Sequence, residues 1–537
     1  MVKDLLKECM KKGFLLDKEM LLLFEGLSED SGKEIVEVIS ELGLKERVIT
    51  KKLFEENLSS IKGSLLKLKG EDLIDDFFTG MGYKVPGVSI EENIEAKENL
   101  QNSKPNSKFK LLSAPAFIQR KIVVKDFIQH FRSRYNKLKG FLEKRDFDNL
   151  TSIRKIGHNR GKYTIIVSVM NKRITKNKNI LLEIEDMTGT AMVLINNKNK
   201  ELYKKGETVL NDDVVALEVM SSGSFLFANE IIYPEASISE KKKSKEDVWV
   251  AFTSDFHAGS KMFLEKNLLK FIKWLNGAEG DPSQKELAKK IKYLFVVGDL
   301  IDGISHYPGQ EKDLNIKTAR GQYKKVEEML KLIRKDLEMI ICPGNHDAVW
   351  VGEPQPLIGE KYAPDLHNMK NVTLVPNPTL VELEEEFKVL MYHGGSINFL
   401  IEEIPWIRTN HKHNSPTLVV KEMLKRRHLA PIHGLADYIP CEEDGLVIDN
   451  VPDIIVTGDQ HRSEVSMMNN ILLIASSCWQ SITPFEEKVG NNPEPCRVPL
   501  FNLKTREIKV LDFSDSTEEI KETEVDKEEI NLAIGEK

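Results

Sequence analysis

The chain is 537 residues long, too long for one hydrophobic core, so two or three domains are expected. Hydrophobic residues make up 41%, enough for globular cores, while a net charge of −7 excludes coating of nucleic acid through overall charge and leaves room only for a local basic track. Five scattered cysteines without a CxxC pair argue against a disulfide framework or zinc ribbon and fit a reducing compartment. The opening MVKDLLKECMKKGFLL lacks the apolar stretch and cleavage site of a signal peptide, and no apolar run reaches the roughly 20 residues that span a bilayer. The expectation is a soluble, cytoplasmic protein without a membrane partner.

Residues 1–85 repeat apolar side chains at helical spacings (Leu5, Leu6, Cys9; Ile35, Val36, Ile39; Phe54, Leu58, Ile61) and predict a small helical domain. Residues 86–120 are polar and predict a disordered linker. The stretch 121–150 predicts a helix, basic on its polar face, which is either solvated or in contact with nucleic acid. Over 151–240 short alternating segments such as YTIIVSVMNKRIT and DVVALEVMSS predict a five-stranded barrel of OB-fold size. Arg154, Lys155, Arg160, Lys162, Lys172, Arg173 and Lys176 make it locally basic, and Tyr163, Phe225 and Phe227 are either core residues or stacking platforms for single strands. Apolar strands alternate with amphipathic helices over 246–513, a layered α/β domain, and 514–537 predicts an acidic mobile tail. The fold class is therefore α+β and multidomain.

Each candidate site residue sits where an apolar strand runs out. AFTSDFH gives Asp255 and His257; FVVGDLIDG gives Asp299, with Asp302 behind it; ICPGNHD gives Asn345, His346 and Asp347; LMYHGG gives His393; IVTGDQH gives Asp459 and His461. In open α/β sheets binding loops converge at that edge. Hydrolysis of a phosphodiester needs a nucleophile at neutral pH and relief of charge at phosphorus, and two divalent cations can supply both. Asp299 is the natural bridging carboxylate. Mixed imidazole and carboxylate ligands favour manganese, iron or zinc over calcium. Singly these signals are weak; five of them at strand ends are not a coincidence.

The ordered set DxH, GDxxDG, GNHD, HG and GDxH resembles the calcineurin-like metallophosphoesterase superfamily. YHGGSINFLIEEIP, KEMLKRRHLAPIHG and NNPEPCRVPLFNL, with the helix DFIQHFRSRYNKLKGFLEKR before the barrel, resemble more narrowly the small subunits of the archaeal D-family DNA polymerase. The resemblance implies an OB domain packed on a phosphoesterase domain, 3′–5′ exonuclease proofreading, a large catalytic subunit as partner, single-stranded or primer-template DNA as substrate, and an archaeal, nucleoid-associated setting. It implies that Asp255, His257, Asp299 and His461 hold one ion, and Asp299, Asn345, His393 and the residue at 459 the other. His346 would stabilise the scissile phosphate and protonate the leaving 3′-oxygen, and Asp347 would orient that imidazole. The superfamily reads GHxH where this chain has Gly458-Asp459-Gln460-His461. A carboxylate there keeps a ligand, adds negative charge and shifts preference toward manganese or magnesium. Two alternatives stand beside the exonuclease: an impaired, purely structural polymerase subunit, and a phosphatase of the same superfamily. Gly303 and Asp347, where phosphoprotein phosphatases carry Arg and Glu, weigh against the last.

Overall fold

The computed structural model describes residues 9–17, 36, 40, 48–50, 109–117, 120–223, 225–410, 414–515 and 520–523. The chain divides into two compact units, one of residues 1–87 with 307–310 and one of the remainder. In the first, Leu15–Leu16 pairs in parallel with Val48–Ile49. The helical domain expected over 1–85 otherwise lies outside the described residues.

The second unit is built on two sheets whose strands are apolar on both faces; every residue of Trp249–Thr253 and Ile454–Thr457 is buried. Such runs belong between layers, not at a wet surface. The first sheet runs Val372–Leu374, Glu338–Cys342, Ile291–Val297, Trp249–Thr253, Arg497–Asn502, Ile508–Asp512 and Lys521–Thr523, with its first four strands parallel. The second runs Glu464–Met468, Ile471–Ala475, Ile454–Thr457, Phe387–Met391, Thr379–Leu383 and Phe109–Ser113. Phe252, Phe295, Ile340, Val389, Val456 and Leu472 fill the space between the sheets. Helices Glu265–Leu275 and Ala319–Leu330 cover the outer side of the first sheet, and Ile397–Glu403 and Pro416–Arg426 that of the second. Parallel strands bring their C-terminal ends to one edge, so the loops carrying the site residues meet there.

Two expectations fail at strand edges. Within 86–120, Phe109–Ser113 is no linker but pairs antiparallel with Thr379–Leu383, burying Phe109 against the inter-sheet core. Within 514–537, Lys521–Thr523 pairs with Ile508–Asp512 and Ile520 is buried in the core beside it. Both strands are short and flanked by polar sequence, and an edge strand needs few apolar anchors when its ladder partner is already in place.

Strand Gly161–Ile174 pairs with both Ile180–Asp186 and Val214–Ser221. The pairings continue through Gly189–Ile195 and Leu226–Ile232 back to Val214–Ser221, closing a ring. Val167, Leu182, Val193, Leu217 and Ile231 fill its interior. Helix Val124–Leu142 precedes it, and its basic residues are not simply solvated. Buried Arg134 donates through Nε to Asp444 at 2.6 Å and through Nη1 to the Pro431 carbonyl, while Lys137 meets Asp449 at 2.7 Å. His428 Nε2 and His130 Nε2 reach the same Asp444 oxygen at 2.9 and 3.2 Å. The KRR run at 425–427 is equally internal. Arg426 pairs with Asp213 of the ring at 2.8 Å and donates to the Thr208 carbonyl; Arg427 lies 3.6 Å from the centre of the Phe141 ring and holds the Ile448 carbonyl.

Among the described residues no helix is long and apolar enough to cross a membrane. Cys9, Cys342, Cys441, Cys478 and Cys496 are all buried as thiols, with no disulfide between them.

The Asp444 cluster gives a stability prediction. Asp444→Asn strands a buried guanidinium and should lower unfolding stability by ~3–5 kcal/mol, read from denaturant midpoints. Burial pushes the His428 imidazole down to about 4 from an ordinary 6.5, and lowers that of His130 as well. Both fold neutral, so their contribution is complete above pH 6.5 and is lost as pH falls toward 4. The thermal midpoint should fall across that window, and less so in His428→Gln.

Candidate metal centre

Asp255 and His257 follow strand Trp249–Thr253, Asp299 follows Ile291–Val297, Asn345 follows Glu338–Cys342, His393 follows Phe387–Met391, and Asp459 and His461 follow Ile454–Thr457. Backbone bonds lace these loops together: Asp255 N–H donates to the Gly298 carbonyl at 3.0 Å, His257 N–H to that of Asp299 at 3.1 Å, and Gly458 N–H to that of His393 at 2.8 Å. Five of the side-chain bearers turn into the left-handed region, with φ of 53° at Asp255, 49° at His257, 52° at Asp299, 66° at Asp459 and 55° at His461. Outside glycine each such residue costs on the order of 1–3 kcal/mol. That cost is borne at the same five places where the side chains converge.

His393 Nε2 lies 3.3 Å from Asp299 Oδ2, 3.1 Å from Asn345 Oδ1 and 3.9 Å from Asp459 Oδ1. His257 Nε2 lies 3.1 Å from His461 Nε2 and 3.9 Å from Asp299 Oδ2, while His461 Nε2 is 3.6 Å from Asp255 Oδ1. Asp299 thus faces both groups. Glycine is required where the loops press together: a Cβ on Gly344 would sit 2.2 Å from Asp299 Oδ1, and one on Gly298, at φ 83°, 2.3 Å from His393 Nδ1.

The donor set fits a cation. His393 Nδ1 is 2.8 Å from the Val297 carbonyl, which can only accept, so Nδ1 carries a proton and Nε2 is the atom that could offer a lone pair to a cation. His461 Nδ1 faces the Glu486 carboxylate at 2.8 Å, which leaves its Nε2 in the same condition. Asp255, Asp299 and Asp459 concentrate negative charge at the centre of this arrangement. The titration tendencies say the same. Burial lowers the pKa of His393, yet Asp299, Asp255 and Asp459 outweigh it and push it well above the ordinary value. Burial would raise Asp299, but His393, His346 and His257 hold its carboxyl below the usual range.

His346 is half-buried. Its backbone N–H donates to Asp299 Oδ1 at 2.8 Å and its Nδ1 lies 2.7 Å from the Asp302 carbonyl. Nε2 is therefore the atom left to take and give a proton. The expectation that Asp347 orients this imidazole is corrected: its carboxylate accepts from Tyr323 OH at 2.8 Å, Gly344 N–H at 2.9 Å and Leu300 N–H at 3.3 Å. Asp347 fixes the loop and the Asp302 carbonyl fixes the ring. Burial and the Asp299 charge push the Asp347 carboxyl up to about 7. His306 is exposed yet stacks on His346 with ring centres 4.3 Å apart.

Asp459 joins the site. Its Oδ1 is the oxygen near His393, while Oδ2 accepts from Asn398 Nδ2 at 3.0 Å and Gln460 Nε2 at 2.8 Å. Burial, then the charges of Asp255 and Asp299, raise its pKa against the pull of His393.

A family model for the B subunits of DNA polymerases alpha and epsilon matches residues 250–466, a span that holds every one of these candidate residues. The DNA polymerase II small subunit of Pyrococcus horikoshii is 35% identical over 433 residues, covering 80% of this chain and 68% of the relative. The chain belongs to the DNA polymerase II small subunit family. The family's member in Archaeoglobus fulgidus is 40% identical over 296 residues, 55% of this chain, and the match spans 59%, about three fifths, of that relative's length. Among solved structures, one described as a novel archaeal phosphodiesterase is similar at 13% identity and a TM-score of 0.26, over 49% of this chain and 98% of that one, too slight a likeness to argue from.

Outside the span of the matched family model lies Glu486, which sequence reading missed. Its Oε1 takes His461, and its Oε2 takes Thr483 N–H and hydroxyl, each at 2.9 Å. Thr483-Pro-Phe-Glu486 is a capping-box pattern legible in the sequence, but nothing there connects it to a histidine 25 residues earlier. Asp302 had been noted only as lying behind Asp299. Its Oδ1 accepts from Gln480 Nε2 at 2.9 Å and stands 3.2 Å from His257 Nδ1, too poorly aligned for a hydrogen bond. Carboxylates behind liganding histidines set their tautomer and orientation. Glu486→Gln should weaken manganese binding ~10–100-fold by calorimetric titration.

Proposed function

We propose that this small subunit is a 3′–5′ exonuclease that hydrolyses terminal phosphodiesters of single-stranded or primer-template DNA alongside a large catalytic polymerase subunit. The observation that carries the reading is the meeting of Asp255, His257, Asp299, Asn345, His393 and His461 where strands of both sheets end, with imidazole nitrogens within 4 Å of carboxylate and amide oxygens. Asp255, His257, Asp299 and His461 would hold one divalent ion, and Asp299, Asn345, His393 and Asp459 the other, manganese ahead of magnesium, iron or zinc. Such a pair supplies a nucleophile at neutral pH and offsets charge at phosphorus.

The chain's own residues do the rest. The Asp302 carbonyl holds Nδ1–H of His346, so Nε2 can protonate the leaving 3′-oxygen. Glu486 and the Val297 carbonyl keep His461 and His393 in one tautomer each. In this reading the closed ring within 151–240 is an OB-fold, 246–513 the phosphoesterase domain, and 1–85 the helical domain.

The second reading, a structural subunit with an impaired site, is favoured by Asp459 alone, because two amides already occupy Oδ2. Incubating 5′- and 3′-labelled single strands with manganese separates the two. Loss from the 3′ end is expected, and His346→Ala should be ~10²–10⁴-fold slower while binding manganese as the parent does. Parental rates in that variant would sink the role given to His346. Release from neither end, restored by Asp459→His, would establish the impaired site instead.

A further inference from the structure

The outer face of the closed ring carries an exposed apolar row that the metal centre does not use. Phe227 lies opposite Met220 in one neighbouring strand and beside Leu194 in the other, and Met220 lies opposite Lys162. Lys162, Met220, Phe227 and Leu194 thus cross four strands in a line. Phe225, two residues before Phe227, is 50% exposed and Phe227 is 37% exposed. Tyr163, which the sequence offered as an equal candidate, packs on the ring's interior.

The surrounding charge is selective. Lys172 Nζ is committed to the Glu207 and Val209 carbonyls, and Arg173 stands 4.0 Å from Glu183. Arg154, Lys155, Arg160 and Lys162 are left exposed or half-exposed, and among the described residues none of the four forms an ion pair. Arg160 Nε donates to the Ser222 carbonyl at 3.1 Å, and His158 Nδ1 lies 3.1 Å from the Gly223 carbonyl. These two contacts hold the turn carrying Phe225 against the basic segment. The next row is acidic, Glu218 opposite Glu230, with Glu230 held by Lys205 at 2.5 Å, and it bounds the patch on that side. On a chain of net charge −7, two unpaired cations, Arg160 and Lys162, beside two exposed aromatic rings form a local exception, with Arg154 and Lys155 exposed on the same domain.

We propose that this face binds single-stranded nucleic acid, with Phe225 and Phe227 stacking on successive bases and Arg160 and Lys162 meeting phosphates. Stacking tolerates any base, so the site gives affinity without sequence preference. Charge complementarity favours this polyanion over a protein partner. The proposal is independent of the nuclease reading.

The test is fluorescence anisotropy of a labelled thymidylate oligonucleotide with the full chain in EDTA, where no hydrolysis proceeds. Phe225→Ala and Phe227→Ala should each weaken binding ~10-fold, with thermal midpoints unchanged because both rings are exposed. Arg160→Gln with Lys162→Gln should flatten the slope of log affinity against log salt by about 1.4, that is, ~0.7 per phosphate contact. Parental affinity and salt slope in these variants would overturn the proposal. So would a pull-down in which the Phe variants lose the large polymerase subunit yet bind the oligonucleotide normally. An outcome of binding without hydrolysis, or hydrolysis without this binding, separates the two proposals.

Discussion

Imidazole nitrogens and carboxylate oxygens crowded together out of water are the constraint around which this molecule is organised. His393 and Asp299 approach from different sheets, at 3.3 Å, and each is buried. Left in water, these groups would separate and hydrate. They stay together because two sheets share an apolar core and their parallel strands end at one edge. Burial of ordinary Val, Ile and Phe side chains is what holds this group of donors in place against the cost of desolvating them.

The same logic extends outward. Three of the histidines are each turned by a second group: the Val297 carbonyl for His393, Glu486 for His461, the Asp302 carbonyl for His346. None of these needs to touch a substrate. Farther out, Asp444 and Asp213 do comparable work for whole elements, drawing helix Val124–Leu142 and the closed ring onto the larger body through Arg134 and Arg426. A buried ion pair contributes little net stability against an apolar replacement, but it fixes one docking geometry.

Much of the site was legible in the sequence because its residues follow apolar runs, and a strand end is visible as a change of hydropathy. Asp255, His257, Asp299, Asn345, His393, Asp459 and His461 were all found that way, and they do meet. What the sequence hid were relations between segments far apart in the chain. Glu486 reads as a helix cap until His461 lies beside it, and Asp347 reads as the partner of His346 until Tyr323 arrives from another helix. Basic residues misled for the same reason: a charge shows its sign in the sequence but not its partner, so Arg134 looked like a solvated or nucleic-acid-facing group until Asp444 lay beside it. Edge strands Phe109–Ser113 and Lys521–Thr523 were hidden because their stability resides in the neighbouring strand.

The left-handed backbone at Asp255, His257, Asp299, Asp459 and His461 has a consequence for stability. At such positions glycine relieves strain that aspartate and histidine keep. Loss of one of these side chains to glycine would therefore be thermodynamically downhill. Scaffold stability and the candidate site pull in opposite directions at the same five residues, so the chain carries backbone strain where its donors converge.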